Sequence, residues 1–173
     1  MTKINENPPT IYLSGAIENL KNFGSDWRLE AEKKLRSLGF ETINPVDLVD
    51  DFSRITGFER KDIPTLKKKN PAKLAQGFKE IIKRDLEAVS YSDYILVYWD
   101  KAAAEGAGTH GEATYAFSLG IPVYLVAKIK PEHVPVWLLG CCEGVFESLV
   151  DALSFFREVA QQRGLRLRIP DVD

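Results

Sequence analysis

Six apolar residues in succession, Tyr94-Ile95-Leu96-Val97-Tyr98-Trp99, constrain the fold of this chain more than any other segment. A strand with one wet face alternates polar and apolar side chains; a run without a polar position must be covered on both faces. That is the condition of a central parallel strand in an α/β sheet. A glycine-rich stretch follows, Gly106-Ala107-Gly108-Thr109-His110-Gly111-Glu112, and an apolar helix pattern begins at its end. In an open α/β sheet, this passage from strand to helix is where ligands bind. Gly106 and Gly108 allow the backbone to approach a small molecule closely, and a helix N-terminus presents unpaired N–H groups with partial positive charge. Glu112 is read into the first turn of that helix, where the same field holds a carboxylate ionised. It is then set to attack, or to stabilise, a cationic centre.

The rest of the chain repeats the alternation. Ile11-Tyr12-Leu13-Ser14-Gly15 reads as the first strand. Ser25 is placed to cap a helix that keeps Trp27, Ala31, Leu35 and Leu38 on one face, and Gly39 stops it. Residues 40–44 form a second short strand closed by Pro45. A helix is predicted over about 73–89, because Leu74, Phe78, Ile81, Ile82 and Leu86 recur at three- and four-residue steps. Gly120 ends the Glu112 helix, residues 121–126 form a fourth strand with Pro122 at its start, and Val145-Phe146 form a small fifth. Residues 150–162 close the chain as an amphipathic helix with Leu153, Phe156, Val159 and Ala160 inward. This β-α-β-α order predicts an α/β fold, a single doubly wound parallel sheet with helices on both faces, and one domain over residues 1–173. Residues 46–72 break the rhythm with Gly57, Pro64, Pro71, mixed charge and little periodicity. A connection of that length is either a functional lid or a mobile surface insertion.

Composition removes several classes of function. A chain of 173 residues with 45% hydrophobic content can bury one good core, and a net charge of −2 gives no footprint for a nucleic-acid polymer. The basic triplet Lys67-Lys68-Lys69 is explained as well by a solvated face. No apolar stretch reaches the roughly 18 residues of a membrane span, the first seven residues are polar, and the adjacent Cys141 and Cys142 suggest no disulfide framework. The expectation is a soluble cytoplasmic protein without membrane partners. With His110 and His133 as its histidines, the sequence has no zinc or iron ligand spacing, and neither a metal nor another cofactor is expected.

Four motifs stand in a matching strand–helix order: residues 11–16, the Gly39…Asn44-Pro45 step, Arg84-Asp85-Leu86…Ser92-Asp93, and Gly108-Thr109-His110-Gly111-Glu112…Tyr115-Ala116. Together, over about residues 10–126, they resemble the nucleoside 2-deoxyribosyltransferase family, which includes nucleoside 5′-monophosphate N-glycosidases. The resemblance implies a flavodoxin-like fold, a homodimer or higher homo-oligomer, and a site at the C-terminal edge of the sheet. It implies cleavage of the bond between a base and a pentose, so the partners would be a small nucleoside or nucleotide and a free base. It puts the nucleophilic glutamate on Glu112 and an aspartate that protonates the leaving base on Asp85. Tyr12, Ser14 and Gly15 would line the nucleoside site, with Gly106, Gly108, Thr109 and His110 as further substrate contacts.

The chemistry asks for such residues independently. Glycosidic cleavage builds positive charge at the anomeric carbon and negative charge on the base, and retaining glycosidases answer with one nucleophilic carboxylate and one acid. Glu112 would form the covalent ester, Asp85 would donate the proton, and Tyr12 would hold Glu112 by a hydrogen bond. Each residue also has a plainer role. Glu112 suits any first helical turn, Asp85 lies on a charged helix, Tyr12 fits a core strand, and His110 fits a surface beside a helix start. Val134-Pro135-Val136-Trp137-Leu138-Leu139 reads as a subunit interface or as core, and residues 165–173 as a tail that reaches a partner's pocket or stays loose.

The pattern also departs from the family. Gly106 stands where many transferases carry an acid that grips the sugar 5′-hydroxyl, with Glu105 and Asp100 as nearby substitutes. The first loop, Ser14-Gly15-Ala16-Ile17-Glu18, lacks the arginine of the monophosphate-cleaving relatives, and Glu105 beside the second loop would repel phosphate. A free nucleoside is therefore the expected substrate, with a nucleoside 5′-monophosphate as the alternative. Gly106-x-Gly108-Thr109-x-x-Glu112 is also similar to the motif of cytokinin-activating phosphoribohydrolases, without their further glycine and proline. A non-catalytic nucleotide sensor is the alternative of another class, since fold alone does not distinguish it.

Overall fold

The computed structural model describes residues 7–18, 20, 22–47 and 52–167. In chain order the elements are β1 Thr10–Gly15, α1 Ser25–Ser37, β2 Glu41–Ile43, α2 Phe52–Thr56, a 3-10 turn Arg60–Asp62, α3 Ile63–Lys69 and α4 Pro71–Ser90. There follow β3 Tyr94–Trp99, α5 Lys101–Glu105, α6 Gly108–Ser118, β4 Val123–Ala127, a 3-10 turn Pro131–His133, α7 Val136–Cys141, β5 Gly144–Phe146 and α8 Leu149–Arg163. The strands form one parallel sheet in the order β2-β1-β3-β4-β5, a flavodoxin-like arrangement. The order reverses beside β1, so the crevice at the ends of β1 and β3 is the topological switch point.

Both faces of the sheet are covered, which accounts for the apolar run of β3. Tyr94 and Leu96 join Ile11 and Leu13 beneath α1 and α8, against Ala31, Leu35, Leu153 and Phe156. Ile95, Val97 and Trp99 join Tyr12 on the opposite face, against Val89, Ala113, Ala116 and Leu138. A third, smaller apolar cluster lies away from these two: Phe52, Phe58 and Ile81, with Ile55, Ile63, Leu66 and Phe78 packed around them.

Several local expectations change. Ser25 is the first residue of α1 rather than its cap: Gly24 holds the cap position with φ 69° and no side-chain bond, and Ser25 Oγ donates to the Asn22 carbonyl. At the other end, Gly39 adopts φ 94° and stops the helix as read. The second strand shortens to Glu41–Ile43, and β4 begins only after Pro122, whose carbonyl accepts from the Ile95 N–H. The insertion is not an irregular loop. It folds into α2, a 3-10 turn and α3, and α4 starts at Pro71, where Asn70 accepts from the Lys73 N–H. Residues 48–51 of the insertion lie outside the described residues, as do residues 168–173 of the tail. The segment 134–139 is divided: Val134 and Leu138 are buried, whereas Val136 and Trp137 are exposed. No helix of the described residues is long and apolar enough to cross a membrane.

Candidate active site

A cavity of about 320 Å³ opens at the C-terminal ends of β1 and β3. Its walls come from the turn after β1 (Gly15 to Glu18), from α4 (Ile81, Asp85), from the passage between α5 and α6 (Gly106, Gly108, Thr109) and from Glu112. The insertion closes one side with Phe52, Arg60 and Ile63. A second hollow of about 280 Å³ adjoins it and shares Ile17, Glu18, Arg60 and Ile63.

Glu112 is fixed from β1. Tyr12 and Ser14, two residues apart, project from the same face of the strand. The Tyr12 hydroxyl donates to Glu112 Oε1 at 2.8 Å, and Ser14 Oγ donates to Oε2. Each carboxyl oxygen thus accepts one hydrogen bond from a buried hydroxyl. Tyr12 and Ser14 are both fully buried, and burial followed by the charges of Glu112 and Asp85 pushes the Tyr12 phenol well above its usual range. It therefore stays protonated and can only donate to a carboxylate.

The position and ionisation of Glu112 differ from the sequence reading. α6 begins at Gly108, so Glu112 is its fifth residue and sits in the second turn. The free N–H groups belong to the first turn, and their field falls off within it. Burial dominates instead and raises the Glu112 carboxyl to about 7; the bonds from Ser14 and Tyr12 pull the other way, Asp85 adds to the rise, and Arg28 opposes it. The glycine-rich stretch is not one loop either. Asp100 Oδ1 accepts from the Ala103 N–H and starts the short helix α5, which leaves Gly106 and Ala107 as the link to α6. With its side chain capping α5, Asp100 does not line the cavity as a substitute acid, and Glu105 is exposed and away from it.

Asp85 faces the same cavity from α4. Burial raises its pKa, while a hydrogen bond and the charge of Arg84 pull it back; Arg84 Nη2 lies 2.9 Å from Asp85 Oδ1. The side chain is only 17% exposed, so it does not occupy the solvated face of its helix. Gly15, Gly106, Gly108 and Thr109 all line the cavity, with Thr109 buried. His110 does not: its ring stands edge-on to Trp99 at 4.6 Å. Trp27 and Tyr98 stack on each other at 4.8 Å, and Trp27 is buried.

Two arginines near the cavity escaped the sequence reading. Arg28 is fully buried beneath β1. A signal for it existed, since it lies three and seven residues before Ala31 and Leu35, on the inward face of α1. Arg60 had none, because it belongs to the aperiodic insertion. Its guanidinium stacks on Phe23 and Phe52 at 4.6 and 4.5 Å. Burial and then the nearby Arg84 lower its pKa, and no carboxylate among the described residues pairs with it. No three His, Cys, Asp or Glu side chains of the described residues are grouped to hold a metal ion. Chemically, the site offers a carboxyl that titrates near neutrality, oriented by two donors, and a second carboxyl across the same small cavity.

No family model matches the chain, and no curated protein matches it in sequence. Among solved structures, a 2-deoxyribosyltransferase from the psychrotolerant bacterium Bacillus psychrosaccharolyticus is similar in fold. The TM-score is 0.57 and the identity 20%, over 83% of this chain and 90% of that one.

Proposed function

We propose that this protein cleaves the N-glycosidic bond of a nucleoside or deoxynucleoside and passes the sugar to another base or to water. The observation that carries the reading is the fixing of both Glu112 oxygens by Tyr12 and Ser14 at the wall of a cavity shared with Asp85. The fold likeness to a 2-deoxyribosyltransferase supports it. A Glu112 oxygen attacks C1′ and forms an ester; the C1′–N bond breaks and its electron pair leaves with the base. Asp85 gives that base nitrogen a proton. The acceptor, a second base or water, then attacks C1′ from the other face, returns its proton to Asp85, and frees the Glu112 carboxylate with overall retention. The raised Asp85 pKa fits the acid role, and desolvation by bound substrate would raise it further.

Incubation with a deoxynucleoside plus a free base, followed by chromatography, tests the transfer. A slow 2-fluoro nucleoside should leave a sugar adduct on the Glu112 peptide in the mass spectrum. Glu112→Gln should abolish turnover while ligand binding remains measurable. Wild-type turnover by that variant would sink the catalytic reading and leave a binding protein.

A second reading, hydrolysis of a nucleoside 5′-monophosphate, is favoured by Arg60. Glu105, expected to repel phosphate, lies off the cavity, and Glu18, which lines it, is paired with Lys67. Arg60, with no carboxylate partner among the described residues, then stands between the cavity and its neighbouring hollow. Parallel assays on the nucleoside and its monophosphate decide between the two. Under the second reading, Arg60→Ala weakens the monophosphate reaction and spares the nucleoside one.

A further inference from the structure

Arg28 is a buried charge with which no carboxylate among the described residues forms an ion pair. It is 0% exposed, and its donors go to backbone carbonyls: Nε to Leu13, Nη2 to Gly15, and Nη1 to Ala16, Phe23 and Gly24. The register of the sheet explains why those carbonyls are free. β1 pairs with β3 as far as Gly15, but with β2 only as far as Tyr12. Beyond Tyr12 one edge of β1 has no neighbouring strand among the described residues. The carbonyls of Leu13 and Gly15, two residues apart, face the same edge, and Arg28 takes the place of the missing strand. Trp27 covers the guanidinium at 4.7 Å.

The chain around it is shaped to this contact. A Cβ on Gly24 would stand 2.6 Å from Arg28 Nη1 and 2.6 Å from the Ala16 carbonyl, at a φ of 69°. A Cβ on Gly15 would meet Trp27 at 2.9 Å and Arg28 at 3.3 Å. Gly15, assigned from sequence to the substrate, is therefore also required by the arginine behind it. The residues whose carbonyls Arg28 holds, Leu13 and Gly15, flank Ser14, and the strand they end also carries Tyr12. Those two hydroxyls hold Glu112.

We propose that Arg28 is a positioning residue for Glu112: it locks the open end of β1 so that Tyr12 and Ser14 meet both carboxyl oxygens, and its uncancelled charge favours the ionised carboxylate. The proposal rests on the reading of Glu112 as nucleophile. Carbonyls are dipoles, so five of them solvate the fully buried guanidinium but leave its unit charge intact. The charged and titratable groups that act on Glu112 are Tyr12 from β1, Asp85 from α4 and Arg28 from α1, with Ser14 as a second donor; Asp85 opposes ionisation and Arg28 supports it. The coupling is mutual. Burial lowers the Arg28 pKa to about 10, and Glu112 is the strongest charge holding it up, ahead of Tyr12, Asp100 and Glu32.

Two measurements test this without depending on turnover. In the wild-type protein, the Arg28 Nε–H resonance followed by ¹⁵N NMR should shift with pH, with the same midpoint as the Glu112 carboxyl. That transition should vanish in Glu112→Gln. A resonance that ignores pH overturns the proposal, even if no Arg28 variant folds. In folded Arg28→Met, the Glu112 midpoint read by ¹³C NMR should rise by about one unit or more, while Arg28→Lys, which keeps the charge, should stay near the wild type. An unmoved midpoint in folded Arg28→Met reduces the residue to structure alone. If wild-type protein cleaves no nucleoside or nucleotide but these titrations behave as stated, the nucleophile reading fails and the Arg28–Glu112 coupling stands.

Discussion

Glu112 carries a conflict between two physical effects. Burial favours its neutral form, whereas a nucleophile must be ionised, and the donors Tyr12 and Ser14 recover part of the difference. Tyr12→Phe removes one donor to a charged acceptor, a loss of roughly 1.5–3 kcal/mol. The Glu112 midpoint should then move upward from about 7 by about one unit, and the rising limb of the pH–kcat/KM profile with it. A profile that stays in place while the rate falls would assign Tyr12 to substrate contact instead. The same burial bears on stability. The folded protein holds the Glu112 proton more tightly than the unfolded chain, so this group's contribution to stability falls as pH rises from about 4.5 to about 7. The loss is on the order of 3 kcal/mol at most. Glu112→Gln should therefore raise Tm at pH 8, by roughly 5 °C, and change it little at pH 4. An equal shift at both pH values would mean that the gain is packing rather than charge. From the sequence, the residue type and its location beyond β3 were readable. Its ionisation was not, because that depends on burial, on where α6 begins, and on Ser14 as a second donor beside the expected Tyr12, about a hundred residues earlier.

Among the elements, those with a full period were readable, as were the short strands β2 and β5, while the short helices were not. β3, α1 and α8 expose their patterns over six or more residues, and their ends carry recognisable stops such as Gly39 and Gly164. The insertion holds helices of five and seven residues and a 3-10 turn of three, each too short to display a repeat. α5 was hidden in the same way: five residues between Asp100 and Gly106, three of them alanine, are too few to display a repeat. What stabilises the insertion is aromatic packing. Phe52 meets Phe58 and Phe78 edge-on at 5.8 and 5.9 Å, and α4 approaches through Gly77. A Cβ there would lie 2.5 Å from the Phe58 ring and 2.7 Å from the Thr56 carbonyl. Gly77→Ala adds helix propensity worth about 1 kcal/mol, but overpacking costs about 1–3 kcal/mol. We expect net destabilisation and, because Phe52 and Arg60 wall the cavity, a KM raised several-fold with kcat nearly intact. A fall in kcat alone would separate the insertion from substrate binding.

At the scale of the molecule, the parallel α/β fold followed from the order of the patterns, while the cavity did not. Its floor, the switch point beside β1, is a property of strand order. Its outer wall comes from the insertion, which has its own apolar cluster of Phe52, Phe58 and Ile81, apart from the two clusters that flank the sheet. α2 and α3 pack on α4, and across the cavity mouth α3 reaches the β1 turn through Lys67 and Glu18, whose side chains are 56% and 49% exposed. An ion pair that wet adds at most about 1 kcal/mol. A segment packed on α4 by its own cluster, and linked to the β1 turn by so wet a pair, should open without unfolding the sheet. Native-state hydrogen exchange should therefore show amides of α2 and α3 exchanging through a low-energy, local opening, and those of β1, β3 and β4 only through global unfolding. Bound nucleoside or nucleotide, in contact with Phe52, Arg60 and Ile63, should slow the first set specifically, by a factor set by its occupancy. Glu18→Gln should accelerate that set and leave the sheet unchanged. If α2, α3 and the strands exchange with one common free energy, the insertion is part of a single cooperative unit, and its role as a moving wall is wrong.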